Sequence, residues 1–185
     1  TVITEATLRG TTMLETDALR MWHLEGDVGI VSFRTKQNTI SGEVLDALAR
    51  AIDVAEAQCA ALVLWQTREP FSLGANLSSL APAVQAKQWS AVEDVVARFQ
   101  QASQRLRYSL VPTVAAVRGM ALGGGCELTM HCDRAVAAFE SYIGLPEAGV
   151  GLLPGGGGTK EFAMRAADDV ARGRSGGQQD AFPAR

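Results

Sequence analysis

Three loops in this chain pass directly from glycine-rich sequence into a helical pattern: Ser72 to Leu77, Gly119 to Gly125, and Gly149 to Gly158. Such junctions leave main-chain N–H groups bare at helix N-termini, where partial positive charge favours an anion or a developing oxyanion. For any one loop alone, tight turns and close packing are the better explanation. Three of them confine the chain to folds in which glycine-rich loops repeatedly open helices.

The segments between the loops supply the rest of an α/β pattern. The run VGIVSF, Val28 to Phe33, is β-branched and aromatic and ends in the polar KQNT turn, so it predicts a strand. Val44, Leu45, Leu48, Ile52 and Ala55 recur at helical spacing after the Ser41-Gly42 break. A buried strand, Ala61 to Trp65, comes next, and strand-helix-strand order favours a parallel crossover. Further along, the pattern predicts a helix entered from FSLGANLSSL, a long helix over 85–108, a short strand Val114 to Val117 running into the GMALGGG turn, a CELTMHC helix, an AVAAF strand, a long glycine loop and a final KEFAMRAA helix. Residues 1–25 show no sustained period and read as an arm or linker, 26–168 as the catalytic core, and 169–185 as a linker or incomplete C-terminal element.

Several function classes drop out on composition. A net charge of -3 with scattered Lys and Arg offers no field for nucleic acid. Three cysteines without framework spacing suggest free thiols in a reducing compartment, a bacterial-type cytoplasm or an organellar matrix. No apolar run is long enough for a bilayer and the N-terminus lacks a signal-peptide layout, so no membrane association is expected.

The loops can also be tested against known anion-binding wording. In GGGGTK, Thr159 precedes Lys160, the reverse of the order a nucleotide-cradling loop needs. Gly149, Gly151 and Gly155 miss dinucleotide spacing by one residue, and no strand runs straight into Gly149. Gly-x-Ser-x-Gly is absent, and only His23 and His131 could act as an imidazole base; His131 reads as capping or packing near its helix end. Cys126, His131, Cys132 and Asp133 lack metal-ligand spacing, which leaves the thiols as buried packing groups and predicts no metal.

Taken together, FSLGANL (Phe71 to Leu77), AAVRGMALGGGCEL (Ala115 to Leu128), the CDRAVAA strand entry and LPEAGVGLLPGGGGT (Leu145 to Thr159) resemble the enoyl-CoA hydratase/isomerase, or crotonase, superfamily. The resemblance runs from about Val28 to Ala167. It implies a crotonase-like spiral of ββα/βαβ units, with a C-terminal helical region that lies beyond this chain. By motif position it implies an oxyanion hole from the Ala75 and Gly124 amides, and substrate contacts from Ser72, Leu73, Gly74, Asn76, Leu77, Gly123 and Gly155. Glu127 and Glu147 match the acidic positions of the hydratases, implying water activation by Glu127 and proton delivery by Glu147. Two carboxylates sharing one pocket should bind protons unequally, as water addition requires. The Gly155 amide is implied as a water-orienting group. Asn76 departs from the aspartate common in the family.

The implied reaction is hydration of a 2-enoyl-CoA in fatty-acid β-oxidation, with no cofactor beyond the coenzyme A of the substrate. The implied partners are further copies, as a trimer or dimer of trimers, or neighbouring domains of a multifunctional 3-hydroxyacyl-CoA dehydrogenase, which the N-terminal arm and PGGGGTKEFAMRAA resemble. Two rival functions stay open at this point: a double-bond isomerase working through one carboxylate, and a non-catalytic acyl-CoA-binding or assembly module. A hydrolase using the same oxyanion hole is more distant.

Overall fold

The computed structural model describes residues 10–24 and 26–173. Its main sheet has six strands in the order β1-β2-β3-β4-β5-β7. These are β1 (Thr11–Glu15), β2 (Leu19–His23), β3 (Val28–Phe33), β4 (Ala61–Trp65), β5 (Thr113–Val117) and β7 (Arg134–Ala137). From β3 to β7 every pairing is parallel, while β1-β2 and β2-β3 are antiparallel. The parallel crossover predicted around the first helix is present: that helix, α1 (Gly42–Gln58), connects β3 to β4.

Local chemistry accounts for α1. Ser41 caps it through its side chain, which accepts from the Val44 N–H, and Glu43 places negative charge in the first turn. The predicted stripe Val44, Leu45, Leu48, Ile52 and Ala55 is buried throughout. It packs against strands β1 to β4 and against α3 (Trp89–Arg107), whose own buried face is Phe99, Ala102, Ser103 and Leu106.

Three sequence expectations require correction. Thr11 to His23 is no linker: it forms β1 and β2, and Leu19, Met21 and Trp22 are completely buried. Residues 1–9 and Glu25 of the predicted arm, and residues 174–185 of the predicted tail, lie outside the described residues. The long helix predicted over 85–108 starts a turn later than expected: α2 (Leu77–Gln85), the helix entered from FSLGANLSSL, runs on to Gln85, Lys87 takes a left-handed φ of 54°, and α3 then begins at Trp89. Within the GMALGGG turn, Met120–Leu122 forms a short strand, β6, parallel to β8 (Tyr142–Gly144).

The small β6-β8 sheet positions the site. A bridge from Ser72 to Ala121 ties the first glycine loop to β6, and a bridge from Ile40 to Ala75 ties the same loop to the segment before α1. Helix α4 (Gly124–His131) starts two residues after β6 and is buried along its whole length. The chain then runs through a short 3-10 turn, Glu147–Val150, to α5 (Gly158–Ala171), which packs on α4.

Candidate active site

The first loop is built around Ala75. Gly74 O accepts from Ile40 N at 2.8 Å, and Asn76 N donates to Ile40 O at 3.0 Å. A trans peptide points its N–H opposite to its C=O, so pinning Gly74 O to Ile40 turns the Ala75 N–H the other way. That way leads to the second loop. A Cβ on Gly74 would lie 2.9 Å from Gly124 N, and one on Gly124 would lie 3.4 Å from Ala75 N. Neither amide has an acceptor among the described residues. Two unsatisfied donors from separate loops therefore converge on one small space.

Glycine is required at both positions. Gly74 has φ 86°, and its missing Cβ would also strike Leu122 O at 2.7 Å. A Cβ on Gly124 would come within 2.6 Å of the Phe99 ring of α3. Phe99 thus packs beside the converging amides.

Glu127, in the first turn of α4, is 2% exposed. Its Oε1 accepts from the N–H groups of Gly156 and Gly158, both at 2.8 Å. Burial pushes the Glu127 carboxyl up from its ordinary value and the charge of Glu147 adds to this, while the glycine amides pull it back. Among the described residues no cation contributes to reverse the direction. The result is a carboxylate more basic than usual, held at one oxygen by main-chain donors.

Glu147 sits at the start of the 3-10 turn, on the other side of the second loop. Its Oε1 lies 3.0 Å from where a Gly123 Cβ would be, and Gly123 caps the helix that Gly124 opens. Its Oε2 is buried without a hydrogen-bond partner among the described residues. Buried polar oxygens are ordinarily paired, so an unpaired one beside two unpaired donors marks a place where a ligand completes the bonding.

The remaining implied contacts divide. Leu73 is half-buried in the first loop and Leu77, at the start of α2, is exposed. Ser72 is not available to a ligand: it is fully buried, and its hydroxyl donates to Asn38 O at 2.7 Å and accepts from Gly74 N at 3.1 Å. It braces the loop from inside. Asn76 caps α2 by accepting from Ser78 N. Gly155 turns its carbonyl to Gln100 Nε2 at 2.9 Å, and the amides that reach an acid belong to Gly156 and Gly158 instead. Between those two amides the loop turns at Gly157, with φ 109°, before α5 begins.

The thiols behave as packing groups. Burial pushes both Cys126 and Cys132 up to about 12, too high for a thiolate at neutral pH. Asp133 is taken up by Thr113, accepting from its N–H at 2.8 Å. Among the described residues no group of three or more His, Cys, Asp or Glu could hold a metal ion, and no helix is long and apolar enough to cross a membrane.

A second buried acid, missed in the sequence, lies behind the first. Glu161, in the first turn of α5, has no exposed surface and meets Arg107 Nη1 at 2.5 Å and Lys160 Nζ at 3.0 Å. The signal available was an acid three residues past the glycine run; its partner, far back on α3, gave none.

This fold and this arrangement of loops belong to the enoyl-CoA hydratase/isomerase family, whose profile matches residues 25–173 of the chain. A probable 3-hydroxyacyl-CoA dehydrogenase from Bacillus subtilis is 39% identical over 75% of this chain and 18% of its own length. A probable enoyl-CoA hydratase from Rhizobium meliloti is 31% identical over 81% of this chain and 60% of its own. Among solved structures, an enoyl-CoA hydratase from Bacillus anthracis superimposes with a TM-score of 0.72 at 26% identity, covering 80% of this chain and 57% of that one. The chain thus spans less than two thirds of each, and the fold is the mixed, mainly parallel α/β crotonase fold.

Proposed function

We propose that this chain carries the hydration site for 2-enoyl-CoA thioesters. The observation that carries the reading is the convergence of the Ala75 and Gly124 amides, with no acceptor among the described residues, near Glu127 and Glu147. A thioester oxygen placed there would receive two hydrogen bonds, and these strengthen as enolate charge develops on it. Removal of one such donor costs roughly 10²–10³-fold in turnover in other enzymes.

The chemistry then balances without a redox cofactor or metal. Glu127 takes a proton from water as the water oxygen bonds to the β-carbon, and the π electrons move onto the thioester oxygen as an enolate. Glu147 delivers a proton to the α-carbon as the enolate collapses. Water supplies the hydroxyl at the β-carbon and makes good the proton given to the α-carbon, and proton exchange with solvent restores both acids. The raised basicity of Glu127 suits it to taking a proton from water. Coenzyme A enters only as part of the substrate, and a pair of acids favours hydration over an isomerisation that needs one.

The same reading places the site in fatty-acid oxidation, beside dehydrogenase domains or further copies of the chain. Val136, Phe139, Tyr142 and Leu153 are exposed along β7, β8 and the following loop, and they are the surface such neighbours would cover.

Hydration of crotonyl-CoA by the full-length protein, followed through loss of the conjugated thioester absorbance, tests the reading. Glu127→Gln and Glu147→Gln should each lower turnover by roughly 10²–10⁴-fold. An unchanged rate in either variant removes that residue from the mechanism.

A further inference from the structure

His131 stands at the opposite end of α4 from the converging amides, on the same helix as Glu127 and one turn after it. Its side chain is 1% exposed. Nδ1 lies 2.7 Å from the Glu127 carbonyl oxygen, and because a carbonyl only accepts, the proton must be on Nδ1. The far edge of the ring packs under the glycine turn: a Cβ on Gly157 would lie 3.2 Å from Cε1 and 3.3 Å from Nε2. Nε2 has no hydrogen-bond partner among the described residues and lies 3.7 Å from Glu161 Oε1.

Gly157 is the residue between the two amides that hold Glu127. The ring therefore touches the clamp on one side while the Glu127 carboxylate occupies the other. Glu161 closes the circuit, since its N–H donates to Gly157 O at 3.0 Å and its carboxylate is fixed by Arg107 of α3. Arg165 adds a further tie, donating from Nη2 to Met130 O at 2.6 Å, so α5 is fastened to the end of α4 beside the ring. All these contacts hold the Gly156–Gly158 peptides at a fixed distance from Glu127.

We propose that His131 is a positioning residue: wedged between the Glu127 carbonyl, Gly157 and the Glu161–Arg107 pair, it holds the Gly156 and Gly158 amides on the Glu127 carboxylate. The role of Glu127 as the base is taken from the hydratase reading; the clamp itself is independent of it. The groups facing Glu127 are Glu147 from the 3-10 turn, the Cys126 thiol on its own helix and the apolar Phe99 ring from α3. Those facing His131 are Glu161 and Lys160 from α5 and Arg107 from α3. Burial, Lys160 and Arg107 all oppose a charge on the imidazole, so it works as a neutral spacer and donor. Loosening the amides withdraws stabilisation from ionised Glu127 and makes it more basic still.

Two readouts in the full-length protein test this. In His131→Leu the carboxyl titration of Glu127, followed by 13C NMR and assigned by its loss in Glu127→Gln, should move to higher pH. Turnover of crotonyl-CoA should fall about tenfold, a fraction of full acid-base loss, with the acid limb of the kcat profile moving the same way and KM changing less than about twofold. His131→Asn, whose amide N–H replaces the Nδ1 donor, should restore most of both. A lowered Tm with an unmoved titration and limb would mean simple packing and overturns the proposal. Should His131→Leu not fold, His131→Met fills the space without a donor, and the same readouts decide. If the unaltered protein leaves crotonyl-CoA unhydrated, the hydratase reading falls; the Glu127 titration still upholds or overturns the role of His131.

Discussion

Glu127 and Glu161 are both buried glutamates in the first turn of a helix, and they are held in opposite ways. Glu127 is bound by two neutral peptide N–H groups, Glu161 by cations: Arg107 at 2.5 Å and Lys160 at 3.0 Å. Burial raises both, but at Glu161 the contributions of Lys160 and Arg107 outweigh it and the carboxyl is lowered; at Glu127 no cation among the described residues intervenes and it stays raised. Amides fix the position of an acid without neutralising it, so its carboxyl keeps the raised basicity that burial gives it. A fully compensated ion pair fixes position and removes the acid from proton chemistry. The difference separates a group that can react from one that fastens three helices together.

The largest expected effect breaks the fastening. Arg107→Met leaves Glu161 buried beside only partly exposed partners, and loss of one member of a buried pair typically costs about 3–5 kcal/mol. Urea unfolding monitored by circular dichroism should show it, and a cost near that of an exposed pair would mean that Lys160 and Arg165 suffice. Next in size is Gly156→Ala. Its Cβ would fall 2.5 Å from the Phe99 ring and 2.6 Å from Glu127 Oε2, so overpacking of about 1–3 kcal/mol should come with loss of hydration. Equal hydration rates in variant and parent would show that the clamp is not needed.

The smallest effect is the sharpest comparison, because it differs in sign. Raised Glu127 contributes stability that is fully present below the ordinary carboxylate value and is lost as pH rises through its folded value. Lowered Glu161 contributes stability that is present above the ordinary value and is lost as pH falls through its folded value. Unfolding free energy measured across acid to neutral pH should therefore lose its decline with rising pH in Glu127→Gln, and its decline with falling pH in Glu161→Gln. Identical profiles in the two variants would erase the distinction.

Much of this was legible in the residues. The helical stripe of α1 and the apolar runs of β3, β4 and β5 declare themselves because each element buries one face or lies central in a parallel sheet. β2 did not, because neighbours on both sides erase alternation: Met21 and Trp22 are adjacent and both are buried, Trp22 against Trp65 edge-on at 6.2 Å. Around the site, Ala75, Gly124, Glu127 and Glu147 came from the motif resemblance; the Ala75 and Gly124 nitrogens lie near one another, and Glu147 lies beside Gly123. The amide clamp on Glu127 was not foreseen, because only the backbone path through Gly157 decides which amides face the acid. Glu161 was missed, since its partner Arg107 is 54 residues away in sequence.

The Ile40 pairing with the first loop has an evolutionary consequence. The residue that aims the Ala75 N–H does so with its own N–H and C=O, which every amino acid except proline possesses. Substitutions at position 40 can drift with the demands of the core while the aim of the donor is inherited unchanged. A scan that trims side chains to alanine would register Ile40 as a core residue and leave its directing role unseen.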